Sequence, residues 1–226
     1  MKKLVLGLIG VSSLLTISAK AVSVQEMGIG NNEVVSITSS TLGGPVSVYA
    51  GIVNLQVDGV PTQGFCIDPY HWSVSGPQTY SLVPLTSAPK PPGGPMNAAT
   101  ATQIEQLWGH YFSSALSSSS VAAGLQIAIW ELVTGAGNSG NSGTFTLNSH
   151  NDYGASTFIS WVDSTPNAPT TDLVGLTGPG QDYVIPSGPQ DSVTPSVPDG
   201  GATVILLGLA SLGLVLTQRK LKLRAC

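Results

Sequence analysis

The chain has 226 residues, enough for one globular domain once its terminal segments are set aside. Only 9% of its residues are charged, while 27 glycines and 16 prolines supply turns, which favours a loop-rich β domain over a helical bundle. Between positions 22 and 197 the only base is Lys90, against eleven acids, so this span carries a net charge of about −10 and excludes nucleic acid as a partner. Solubility alone accounts for such a surface.

Positions 1–21 read as a secretory signal peptide. Lys2 and Lys3 form the positive n-region, an apolar run follows, and Ala19-Lys20-Ala21 supplies an A-x-A cleavage site. The mature chain is then expected to start at Val22, with an exported domain over 22–187. The apolar run is short for an uncleaved anchor.

Within that domain, positions 33–68 read as β. Val46, Val48, Ala50 and Ile52 alternate, and the apolar phase shifts at Gly51 to Val53, Leu55 and Val57, which predicts a bulge. Asp58-Gly59 predicts a tight turn into a partner strand over 60–67, weakened by Pro61 and Gly64. A helix is expected over 97–112, with Asn97 as N-cap and Ala101, Ile104, Leu107, Trp108 and Phe112 on one face. A second is expected over 121–133, amphipathic, with Val121, Leu125, Ala128, Ile129 and Leu132 inward and Glu131 in solvent. Positions 144–147, a short helix near 156–162, and 183–185 complete the pattern. The fold class is β-rich α+β: one sandwich- or barrel-like domain with a small helical insert.

Of the two cysteines, Cys66 lies in the exported span and Cys226 ends the chain beyond a basic cluster. A lone cysteine in an oxidising compartment calls for an explanation. A buried free thiol is one and an intermolecular disulfide is another. The neighbouring residues suggest a third. Phe65-Cys66-Ile67-Asp68 on a strand, with Gln126, Ala128 and Trp130 on a helix, resembles the thioester domains of bacterial surface adhesins, across about positions 45–135. The resemblance implies a side-chain thioester between Cys66 and Gln126, formed with loss of ammonia, with Asp68, Ala128 and Trp130 as the supporting motif. Leu125 stands where those domains often carry threonine. Such a bond needs near-attack geometry and exclusion of water, because a carboxamide is inert to a thiol in water. An incoming amine opens it once, leaving a covalent amide, so it is not a turnover enzyme. The near absence of lysine then reads as protection against self-modification.

Asp68 is read as capping a strand end or polarising the site, and Trp130 as core. His71, His110 and His150 lack metal-ligand spacing, so neither a metal nor a cofactor is expected. A cysteine hydrolase would require His71 or His110 to meet Cys66 in space, and no protease signature surrounds the cysteine. No phosphate-cradling glycine motif occurs.

Positions 188–196 have the Pro/Ser/Gly composition of a linker. Val197-Pro198-Asp199-Gly200-Gly201 follows, then an apolar stretch over 202–216, then Arg219, Lys220, Lys222 and Arg224. The stretch is at the short limit for a membrane helix, and the basic cluster belongs inside. This tripartite tail resembles the PEP-CTERM family of bacterial sorting signals, in the variant that opens Val-Pro-Asp. That resemblance implies anchoring in the inner membrane, processing near 197–201 by an exosortase-like protease, and delivery to the cell surface or beyond. A plain C-terminal anchor helix is the alternative. The expected function is covalent attachment to an amine-bearing surface protein or matrix component. The alternative is a non-reactive structural component of an extracellular matrix or biofilm with the same tail.

Overall fold

A computed structural model describes residues 19–90, 93–136, 140 and 142–188. Positions 1–18 of the expected signal peptide lie outside the described residues, as do all of the linker but Gly188, the motif at 197–201 and the apolar stretch at 202–216. No helix among the described residues is long and apolar enough to cross a membrane.

Seven strands and three helices follow in the order β1 (Lys20–Ser39), β2 (Gly43–Val57), β3 (Val60–Cys66), β4 (Gln78–Pro84), α1 (Ala98–Ala115), α2 (Ser119–Thr134), β5 (Phe145–Leu147), α3 (Ala155–Ser164), β6 (Leu173–Thr177) and β7 (Tyr183–Pro186). The strands run in the order β2-β3-β7-β6-β4-β1-β5, and β1 also pairs with β2. The extra pairing closes the first six strands into an antiparallel ring, with β5 attached to the far end of β1. Closure leaves few free edges, which is how antiparallel sheets avoid edge-to-edge association.

The ring closes because β1 is long enough to serve two neighbours. Its first residues pair with β4, from Lys20↔Leu82 to Val24↔Gln78, and from Val24 onward it pairs with β2. Strand structure therefore begins well before position 33. Bulges between Glu26 and Gly28 and between Ile29 and Asn32 break the apolar alternation, which hides the strand from a period-two reading. The Gly51 expectation is corrected in one respect: the extra residue lies on β1 at Gly30-Asn31, opposite Ile52. Gly51 is where the bulge presses in, since a Cβ there would sit 2.2 Å from the Asn31 carbonyl oxygen. The expected cleavage point falls at the exposed start of β1. Cleavage after Ala21 would remove two pairs with β4 and leave Val22, which is buried, as the first residue.

The β2–β3 hairpin turns at Asp58 and Gly59, both at positive φ (49° and 85°), as the Asp-Gly pair predicts. The two strands β4 and β6 were not expected. Each is short and sits among Ser, Thr and Pro, and only pairing within the ring orders them.

The first helix starts as expected. The Asn97 side chain accepts a hydrogen bond from the Thr100 N–H at 2.8 Å. Ser118 caps α2 in the same way, and Gly135 ends it in the left-handed conformation (φ 73°). The amphipathic reading of α2 is overturned. Every residue from Ala122 to Thr134 is buried, Glu131 included, because α1, α3 and the strands β1–β3 surround the helix. Its packing is close enough to require Gly124, where a Cβ would meet the Tyr153 carbonyl oxygen at 2.3 Å. Phe65 of β3 packs edge-on against Trp108 of α1 (centroids 5.3 Å) and against Phe112, which tethers the end of β3 to the helices.

Candidate functional site

The end of β3 is where the ring is incomplete. Its ladder with β2 runs only from Val57↔Val60 to Val53↔Gly64, while Phe65 and Cys66 continue to pair with β7. Beyond Gly64 the β2 side of the strand is open, and a bare strand edge leaves a backbone donor and acceptor to be satisfied.

Gln126 of α2 fills the gap. The Cys66 N–H donates to Gln126 Oε1 at 2.9 Å, and Gln126 Nε2 donates to the Cys66 carbonyl oxygen at 2.7 Å. A carboxamide can both donate and accept side by side, as a neighbouring strand does. Cys66 and Gln126 are 3% and 1% exposed, so the pair is held out of bulk water. The two sequence-predicted residues, sixty positions apart, thus meet in reciprocal contact. Ala128 is fully buried on the same helix.

Burial pushes the Cys66 thiol pKa far above its usual value, and the carboxylates Asp68 and Asp182 add to the rise. Two groups oppose it. The Asp68 N–H donates to Cys66 Sγ at 3.3 Å, and the Trp130 indole favours the charged sulfur. The Trp130 N–H lies near enough for that influence but falls short of a well-formed hydrogen bond, and Nε1 is without a partner among the described residues. Trp130 is core, as expected, yet it brings an unused donor to the sulfur.

Asp68 caps the turn after β3: its Oδ1 accepts from the Tyr70 N–H at 3.0 Å. Its other oxygen, Oδ2, lies 2.6 Å from His71 Nδ1. This pairing was missed in the sequence, although its signal is visible as Asp-x-x-His beginning two residues after the cysteine, in a segment too short to be anything but a turn. Asp182, also missed, accepts the Ile67 N–H through its backbone, and burial raises its carboxyl pKa to about 6.

A cavity of about 360 Å³ opens at this junction, bordered by Cys66, Gln126, Trp130, His71, Trp72 and Gln181 among others. Trp72 and Tyr49, 56% and 62% exposed, stand on its border. Among the described residues no cluster of His, Cys, Asp or Glu could hold a metal ion.

No family model, curated protein or solved structure matches the chain.

Proposed function

We propose that the domain carries a thioester between Cys66 and Gln126 and uses it to attach covalently to an amine-bearing partner at the cell surface. The observation that carries this reading is the reciprocal hydrogen bonding between the Gln126 carboxamide and the Cys66 backbone, beside the cavity. It fixes the carboxamide against the residue whose sulfur must attack it. The Cys66 N–H already points at Oε1, the oxygen on which negative charge develops during attack. The bond that forms is Cys66 Sγ to Gln126 Cδ, and the bond that breaks is Cδ to Nε2. The thiol proton leaves with the nitrogen as ammonia. Opening by an amine forms a C–N bond at Cδ and breaks the Cδ–Sγ bond, and the proton shed by the amine restores the Cys66 thiol.

Export and sorting complete the proposal. A signal peptide over 1–21 and a PEP-CTERM-type tail over 197–226, handled by an exosortase-like protease, would place the domain outside the inner membrane. A second reading is supported by the same two hydrogen bonds. They satisfy a strand end by themselves, so a non-reactive matrix component could use Gln126 purely as a structural cap.

Intact mass of the purified mature domain, with and without methylamine, separates the two. The thioester reading expects a mass short by one ammonia, then a gain of one methylamine located at Gln126. A full mass with a thiol that alkylates on unfolding would establish the structural cap instead.

A further inference from the structure

The carboxylate–imidazole pair beside the cysteine has no structural duty that explains it. Asp68 is only 4% exposed and already caps its turn through Oδ1, so its second oxygen is free to orient the ring. The His71 side chain is 62% exposed, so nothing packs the ring into the core. The ring borders the cavity that holds Cys66, Gln126 and Trp130, and also a second one of about 420 Å³ on the Asp68 side. A carboxylate bonded to Nδ1 fixes the tautomer and leaves Nε2 as the working nitrogen.

Resting on the thioester reading, we infer that His71, oriented by Asp68, is the proton carrier for opening of the Cys66–Gln126 bond by a primary amine. The amine attacks Gln126 Cδ and the C–N bond forms. His71 Nε2 takes the proton the nitrogen must shed. The C–S bond breaks with its electron pair on sulfur, and His71 returns the proton to Cys66. Nothing is oxidised or reduced, and the products are an amide and a thiol.

The environment of the sulfur favours a group that returns a proton to it. Burial disfavours a bare thiolate at Cys66, so departure without a proton is costly. The Asp68 N–H and the unused Trp130 N–H ease that charge but cannot supply a proton in exchange for the one the amine loses. Among the described residues, the charged groups around the ring are Asp68 on its own turn, Asp182 ahead of β7, Lys90 across the second cavity and Glu26 of β1 across the first. Three are acidic, which favours approach of a cationic primary amine but requires it to be deprotonated on arrival.

The test follows methylamine incorporation by intact mass across pH 5 to 9, in the full mature domain and in His71→Gln and Asp68→Asn. General-base action of this kind contributes about 100-fold or more. His71→Gln should therefore react about 100-fold more slowly, with a pH profile that differs from that of the wild type. Asp68→Asn should show a smaller loss together with an altered pH profile, since Asp68 is a positioning residue that acts through the ring. Wild-type protein short by one ammonia whose rate and pH profile survive His71→Gln would overturn this inference and leave the thioester standing. Wild-type protein at full mass would overturn both.

Discussion

Gln126 and Glu131 sit five residues apart on α2, are about equally buried, and meet opposite fates. The Gln126 amide finds a matching donor and acceptor in the Cys66 backbone. The Glu131 carboxylate keeps one oxygen, Oε2, without a partner among the described residues, and burial raises its pKa to about 7. A neutral amide can replace a missing strand; a carboxylate has no donor to offer unless it takes up a proton. What distinguishes a site from a misfit here is complementarity, since depth is the same.

Gln126→Ala breaks that complementarity most. It leaves two buried backbone groups unpaired, each costing about 1–3 kcal/mol, and opens a cavity as well. We expect about 3–5 kcal/mol of destabilisation relative to the amine-opened wild type, read by denaturant unfolding. Cys66→Ala abolishes the chemistry just as fully but keeps the backbone N–H and C=O. It should cost only about 1–2 kcal/mol against the same reference. Equal losses in the two variants would mean that the amide does not dock on the strand.

Glu131 predicts the opposite sign. Its folded pKa of about 7 lies above the ordinary 4.5, and that of Asp182, about 6, lies above 3.8. A carboxyl with a raised folded pKa binds its proton more tightly in the folded state, so its contribution is full below the unfolded value and is lost as pH rises through the folded one. Thermal stability should decline from about pH 4 to pH 7. Glu131→Gln should raise stability at pH 8 by roughly 1 kcal/mol and remove the part of the decline between about pH 4.5 and 7. A Tm that climbs across this window would contradict the burial of both groups.

The smallest effect is expected at Trp130. Its indole N–H has no partner to lose among the described residues, so Trp130→Phe should change stability by less than about 1 kcal/mol beyond the packing difference. The rate of methylamine incorporation should fall at the same time, because the charge on sulfur loses a nearby dipole. A large stability loss with unchanged reactivity would make Trp130 a packing residue alone.

Local chemistry was legible in the sequence wherever one residue decides it. Asn97 caps α1 because its side chain reaches an N–H group of its own helix. Asp58-Gly59 turns because both residues tolerate positive φ. The pairing of Cys66 with Gln126 was legible only as a resemblance, since nothing local links positions sixty apart.

The tertiary structure decided the rest. Closure of the ring ordered β4 and β6 and extended β1 across its bulges, and the bulges had erased the alternation that would have announced it. Encirclement of α2 buried Glu131, because a helix exposes a face only when its neighbours leave one open. The early end of the β2–β3 ladder made a vacancy at Cys66 that an amide fits, and the turn that follows brought Asp68 and His71 to the same place. Caps and turns depend on neighbours along the chain and can be read from it. Vacancies and burial depend on neighbours in space, and exist only once the chain has folded.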